Sequence, residues 1–203
     1  MKRSPCGHAP PFPEQAAQMS RYNLGGHVLA ICGRPGAGKT TLAIAAAEAL
    51  GRQLICHDDF ETMTERPPEQ IADWLARGAP VEEMPVPGLR DALLSASRPV
   101  VLDTPVGVLH PACADQIGVS VWLDCSPDRA LARKLLQYIA EQDPGAGPGF
   151  GDWMTGFLAH HLEFVAPLLE IQEAQLRPRC DLILNADQPQ QAVLDALLAH
   201  LSP

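Results

Sequence analysis

From residue 33 to residue 40 the chain reads Gly33-Arg34-Pro35-Gly36-Ala37-Gly38-Lys39-Thr40, which fits the spacing G-x-x-x-x-G-K-[ST]. Each residue type has a chemical task in that order. The glycines let the backbone curl so that its N–H groups meet phosphate oxygens, and the amino end of a following helix adds partial positive charge. Lys39 reaches the β- and γ-phosphates, the Thr40 hydroxyl ligates magnesium, and Thr41 continues the first helical turn beside them. Such a loop binds a nucleoside triphosphate, and ATP with Mg2+ is the expected pair.

Acids follow at two places where strands should end. Asp58 and Asp59 come just after Gln53–Cys56, where a carboxylate can accept the proton of an attacking hydroxyl. Either acid could serve as that base, and a helix cap or turn acid is the competing reading. Asp103 ends the apolar run 99–102, the place of an acid that holds magnesium directly or through water. Thr40, Asp103 and Asp58 form the expected metal set. Arg133 and Lys134 sit on a later helix where cations can stabilise the transferring group, against the alternative of a solvated basic face. Phe60, Arg66 and Trp74 fall in the segment that should cover an acceptor, with Trp74 fitting a core position equally well. Residues 104–107 read equally as an acceptor wall and as a plain turn. His160 and His161 are adjacent, so on a helix they point about 100° apart and make a poor metal pair.

The elements that must position these groups alternate. Strands are expected at 27–32, 53–56, 100–103, 118–123 and 182–185. Helices are expected at 40–50, ending at Gly51, and at 68–77, 88–97, 127–141, 152–176 with a break near Pro167, and 189–201. Ser126-Pro127-Asp128 is a strong start signal for the fourth. Apolar strands alternating with helices imply an α/β fold with a parallel sheet of about five strands, covered by helices on both faces. Ligands then sit at the carboxyl ends of the strands. The stretch 142–151 is rich in glycine and proline and is the expected mobile lid. Residues 1–26, with a short helix at 14–22, read as an extension, and 27–203 as one domain.

Bulk composition sets exclusions. A formal net charge of -9 over 203 residues argues against a nucleic-acid surface, so the partner is expected to be a small molecule. The longest apolar run near the start, 28–32, is too short to span a bilayer. The six cysteines show no C-x-x-C pair and no zinc spacing, and they read as reduced thiols in a cytoplasmic protein.

With these residues placed, the chain resembles the uridine kinase and nicotinamide riboside kinase group of P-loop kinases from residue 27 onward. The resemblance rests on the glycine loop, on Asp58-Asp59-Phe60 after the second strand, and on Asp103 after the third. Val121-Trp122-Leu123-Asp124 with Asp128, Leu131, Arg133 and Lys134 also matches, as do Phe164-Val165 with Pro167, then Cys180-Asp181. It implies a P-loop NTPase fold, Asp58 as base, Asp103 as magnesium acid, and transfer of the γ-phosphoryl of ATP to an alcohol. Gln137, Tyr138 and Gln142 stand where lids of that group continue with arginines and an Arg-Asp pair. The expected acceptor is a neutral or cationic hydroxyl compound, a nucleoside or riboside first. Kinases for a sugar acid, a pantothenate-like compound or an antibiotic are alternatives, and so is a nucleotide-binding regulatory protein without turnover.

Overall fold

Val28–Gly33 is apolar or glycine at every position and forms β1, with all six residues buried, as a strand covered on both faces must be. The computed structural model describes residues 28–141 and 149–202. The expected extension and its helix at 14–22, and lid residues 142–148, lie outside the described residues. Four further strands, β2 (Gln53–Cys56), β3 (Val100–Asp103), β4 (Ile117–Asp124) and β5 (Leu182–Asn185), join β1 in the order β2-β3-β1-β4-β5. Every pairing is parallel. The expected α/β architecture is therefore present, with its five strands in one sheet.

Helices cover both faces because successive strand side chains alternate. On one face Leu29 and Ile31 pack with Leu42 and Leu50 of α1 (Lys39–Leu50) and Leu197 of the last helix, Gln190–Leu201. On the other, Val28 packs with Leu89 and Leu93, and Ala30 and Cys32 pack with Trp122 and Leu176. Between α1 and the last helix run α2 (Pro68–Ala76), α3 (Leu89–Leu94), α4 (Pro127–Glu141), α5 (Phe150–His160) and α6 (Ala166–Leu176), so the last helix is α7. Among the described residues no helix is long and apolar enough to cross a membrane.

Two helix boundaries differ from expectation by more than one residue. Helix α3 stops at Leu94 rather than Ser97, since Pro99 disfavours helical backbone in the residue before it. The irregular stretch expected to reach Gly151 gives way to α5 at Phe150. There Phe150, Trp153 and Phe157 share one face, with ring centroids 5.9 and 5.7 Å apart, and Gly151 falls in a first turn whose N–H groups need no intrahelical partner. The long helix carries the expected break, a π-turn at His161–Val165 just upstream of Pro167. Proline offers no N–H to the preceding turn, so the ladder is re-spaced before it.

Two buried features of the core make measurable demands. After β3, the Thr104 hydroxyl accepts hydrogen bonds from the N–H groups of Val106 and Gly107, both at 3.2 Å. The turn they make brings Gly107 to φ +45, where an added Cβ would stand 2.7 Å from Cys32 Sγ. Gly107→Ala should lower stability by about 1–3 kcal/mol through strain and overlap. Adding Cys32→Ala should restore part of that loss in urea denaturation, while full recovery would leave backbone strain with no role. His57 is 0% exposed and neither ring nitrogen has a hydrogen-bond partner among the described residues. Burial drives its pKa down to about 4 from 6.5, against the opposing pull of Asp58. The unfolded chain therefore binds this proton first, and stability falls as pH drops from about 6.5 towards 4, by up to about 3 kcal/mol. His57→Leu should flatten that part of the pH–stability curve; an unchanged acid slope would assign it to other groups.

Candidate active site

The register of the sheet gathers the chemistry. Ile31 of β1 aligns with Asp103 of β3, and Asp103 aligns with Cys56 of β2. The phosphate loop, the end of β3 and the turn after β2 therefore share one edge, beside the central strand where the chain order reverses. This is where an open parallel sheet binds its ligands.

Gly36 carries φ +83, and an added Cβ would lie 2.0 Å from the carbonyl oxygen of Ala130 on α4, so the loop is pressed against that helix. Ala37 N–H closes the turn onto the Arg34 carbonyl at 3.1 Å. Lys39, half-buried, donates to the same carbonyl at 3.3 Å. Burial lowers the Lys39 pKa, while Asp103 and Asp58 work to keep its charge. Asp103 is 9% exposed. Burial raises its pKa, opposed by Lys39 and by the Thr40 hydroxyl, which donates to Oδ2 at 2.6 Å.

A hydroxyl and a carboxylate side by side are hard oxygen donors of the kind magnesium takes, usually one or two from protein with the rest from phosphate and water. No three His, Cys, Asp or Glu side chains converge on a metal-sized point among the described residues, which leaves that division of ligands intact. Glycine loop, lysine and oxygen pair together fit a nucleoside triphosphate with Mg2+.

Asp58 and Asp59 are exposed on the single helical turn His57–Asp59 and line the same cleft. The lining continues from the loop past Glu61 and Met63 to Phe164 and Leu168.

Other expected site residues stand differently. Arg34 keeps its backbone in the loop, but its guanidinium grips Glu173 of α6 through Nε at 2.8 Å and Nη2 at 2.6 Å. Arg133 lines the cleft and donates to the Ala186 carbonyl at 3.1 Å, after β5. Lys134 bonds Gln137 at 3.1 Å and lies 4.6 Å from the Tyr138 ring centre. Phe60 packs against the core cluster of Val28, Val86 and Leu89 rather than lining the cleft. It follows the one-turn helix and is rotated to the opposite side from Asp58 and Asp59. Arg66 does not line the cleft either. Trp74 is 2% exposed, donates to the Pro80 carbonyl at 3.0 Å and packs with Met63 and Ala79. It is floor rather than a stacking platform.

The far wall also includes Pro105, His160, Phe164 and Gln172. Pro105 falls in the stretch 104–107, which the sequence offers equally as an acceptor wall and as a plain turn, whereas His160, Phe164 and Gln172 carry no sign of an acceptor contact in the sequence. These three share only a place on the helical run before β5.

Among solved structures, the chain is similar to a shikimate kinase from Acinetobacter baumannii in complex with shikimate, at 19% identity and TM-score 0.51. The match covers 92% of this chain and 98% of that one. A shikimate kinase from Aquifex aeolicus vf5 matches at 17% identity and TM-score 0.51, over 86% and 95%. A gluconokinase from Sinorhizobium meliloti 1021 matches at 21% identity and TM-score 0.49, over 88% and 93%. At these identities the likeness is one of fold. The two matches above 0.5 support a P-loop fold and do not single out the uridine kinase group. Among curated protein sequences none matches significantly. Residues 28–137, more than half of the chain, match the AAA domain family, and the chain belongs to that family.

Proposed function

We propose that this protein is an ATP-dependent kinase that transfers the γ-phosphoryl group to a hydroxyl of a small molecule. The observation that carries the reading is the shared edge. Lys39, the Thr40–Asp103 pair and Asp58 open into one cleft whose lining continues beyond the loop. ATP with Mg2+ supplies the activated phosphoryl group when bound. Lys39 holds the β- and γ-phosphate oxygens, while Thr40 and Asp103 would hold the metal. Asp58 accepts the proton as the acceptor oxygen bonds to the γ-phosphorus and the bond to the bridging oxygen of ADP breaks. Asp59 assists from the adjacent position. Arg133 and Lys134 reach the transferring group by leaving Ala186 and Gln137. A nucleoside or riboside acceptor is favoured by the resemblance to uridine kinases, and a monophosphate is disfavoured by the acids beside Asp58.

One observation favours a second reading, a nucleotide-binding protein without turnover: Arg133 and Lys134 are both engaged away from the loop. An ADP-release assay with and without a metabolite pool separates the two, since a binding protein stays silent in both. Lys39→Ala should abolish productive triphosphate binding, because this ammonium is the side-chain cation the loop sets against the β and γ oxygens. Unchanged ATP affinity and turnover in that variant would sink the kinase reading. Asp58→Asn should keep nucleotide affinity while lowering turnover by about two to four orders of magnitude, the usual range for a lost general base. If Asp59→Asn proves the damaging change instead, the two acids exchange roles.

A further inference from the structure

The phosphate loop is anchored to α6 by an ion pair that stands off the cleft lining. Arg34 sends its guanidinium across to that helix, where Nε and Nη2 both donate to Oε2 of Glu173, at 2.8 and 2.6 Å. The Arg34 side chain is 11% exposed and that of Glu173 32%. Neither residue lines the cleft.

The backbone of Arg34 has a different task. Its carbonyl oxygen accepts from the Ala37 N–H at 3.1 Å, which closes the turn of the loop, and from Lys39 Nζ at 3.3 Å. One peptide group therefore holds both the curl of the loop and the ammonium that meets the phosphates. The helix that grips its side chain is held at two further points. Gln172 Nε2 donates to the Pro105 carbonyl after β3, and Leu176 packs with Cys32 of β1. The same helix gives Leu168, Leu169, Ile171 and Gln175 to the cleft lining. Loss of Glu173 would leave a nearly buried guanidinium without its carboxylate. A group stranded in that way is costly and turns to other oxygens, and any such turn pulls on the peptide that holds Lys39.

Resting on the nucleotide reading of the loop, we propose that Glu173 is a positioning residue: through Arg34 it fixes the carbonyl that holds Lys39, and so sets the lysine against the β- and γ-phosphates. The α6 wall of the cleft and the phosphate loop are thereby tied into one unit. Two other roles for the pair predict different results. If Glu173 acted only as a negative charge near the phosphates, its removal would tighten nucleotide binding, because Arg34 would keep its charge and lose its neutraliser. A role in stability alone would lower the melting temperature and leave the affinity of the folded protein unchanged.

The test is a calorimetric titration of the full chain with magnesium and either a non-hydrolysable ATP analogue or ADP, beside thermal unfolding without ligand. Glu173→Ala removes the acceptor, while Glu173→Gln keeps an oxygen for the guanidinium without the charge. Glu173→Ala should weaken the ATP analogue at least about fivefold, and Glu173→Gln should weaken it less, in the same direction. In both variants the loss should be larger for the ATP analogue than for ADP, since Lys39 meets the γ-phosphate as well as the β. Should Glu173→Ala fail to fold, the direction of the change and the ratio of the two nucleotides in Glu173→Gln decide. Tighter binding in either variant, unchanged affinity with only a lower melting temperature, or equal losses for the two nucleotides would overturn the inference. A chain that binds neither nucleotide before substitution overturns the reading of the loop, and this inference with it.

Discussion

The site depends on keeping one ammonium charged where burial works against it. Lys39 sits at the foot of the cleft, and its desolvation favours the neutral amine. Asp103 and Asp58 oppose that tendency, and each acid does so from a different strand end. Asp103 is in turn pressed towards its neutral form by burial, and it is held by Lys39 and the Thr40 hydroxyl. These groups are therefore one electrostatic unit. Its geometry exists only because β1, β2 and β3 run parallel with Ile31, Asp103 and Cys56 in register. A slip of one residue in either ladder would turn Asp103 to the opposite face of the sheet and break the unit.

Most of this frame was legible in the sequence because it is local. The strand, glycine loop and helix from 28 to 50 are neighbours along the chain, so composition and spacing suffice to place them. Gly51 ends α1 as its type suggests, with the Arg52 N–H returning to the Ala47 carbonyl at 2.9 Å. Strands β2 to β5 announce themselves as short apolar runs, and parallel pairing follows from the helices between them. The acids Asp58 and Asp103 are readable for the same reason, since Asp103 ends β3 and Asp58 follows the end of β2 by two residues.

What the sequence does not carry is contact between distant segments. Arg34 meets Glu173 across 139 positions, and Arg133 meets the Ala186 carbonyl across 53. Neither pair has a spacing rule to betray it. Phe60 belongs to a motif-like Asp-Asp-Phe triplet, yet one helical turn suffices to send its ring into the core while its neighbours face the cleft. His57 and Gln172 are ordinary residues by type, and only their burial without full hydrogen bonding sets them apart. The start of α5 was hidden by the opposite effect. Glycine and proline density predicts irregular backbone, but the aromatic face formed by Phe150, Trp153 and Phe157 outweighs Gly151.

The same acids that hold Lys39 also shape what can approach it. A bare triphosphate brings several negative charges towards Asp58 and Asp103, and one lysine with a helix amino end does not offset both. A triphosphate already paired with a divalent cation reverses that balance, because the cation meets the carboxylates while the phosphates meet Lys39 and the loop. On the kinase reading, the acids thus serve three ends at once: they preserve the lysine charge, favour nucleotide in its magnesium form, and leave a carboxylate at Asp58 for the acceptor proton. The cost is a negatively charged cleft wall, and that cost falls on the choice of acceptor rather than on the nucleotide.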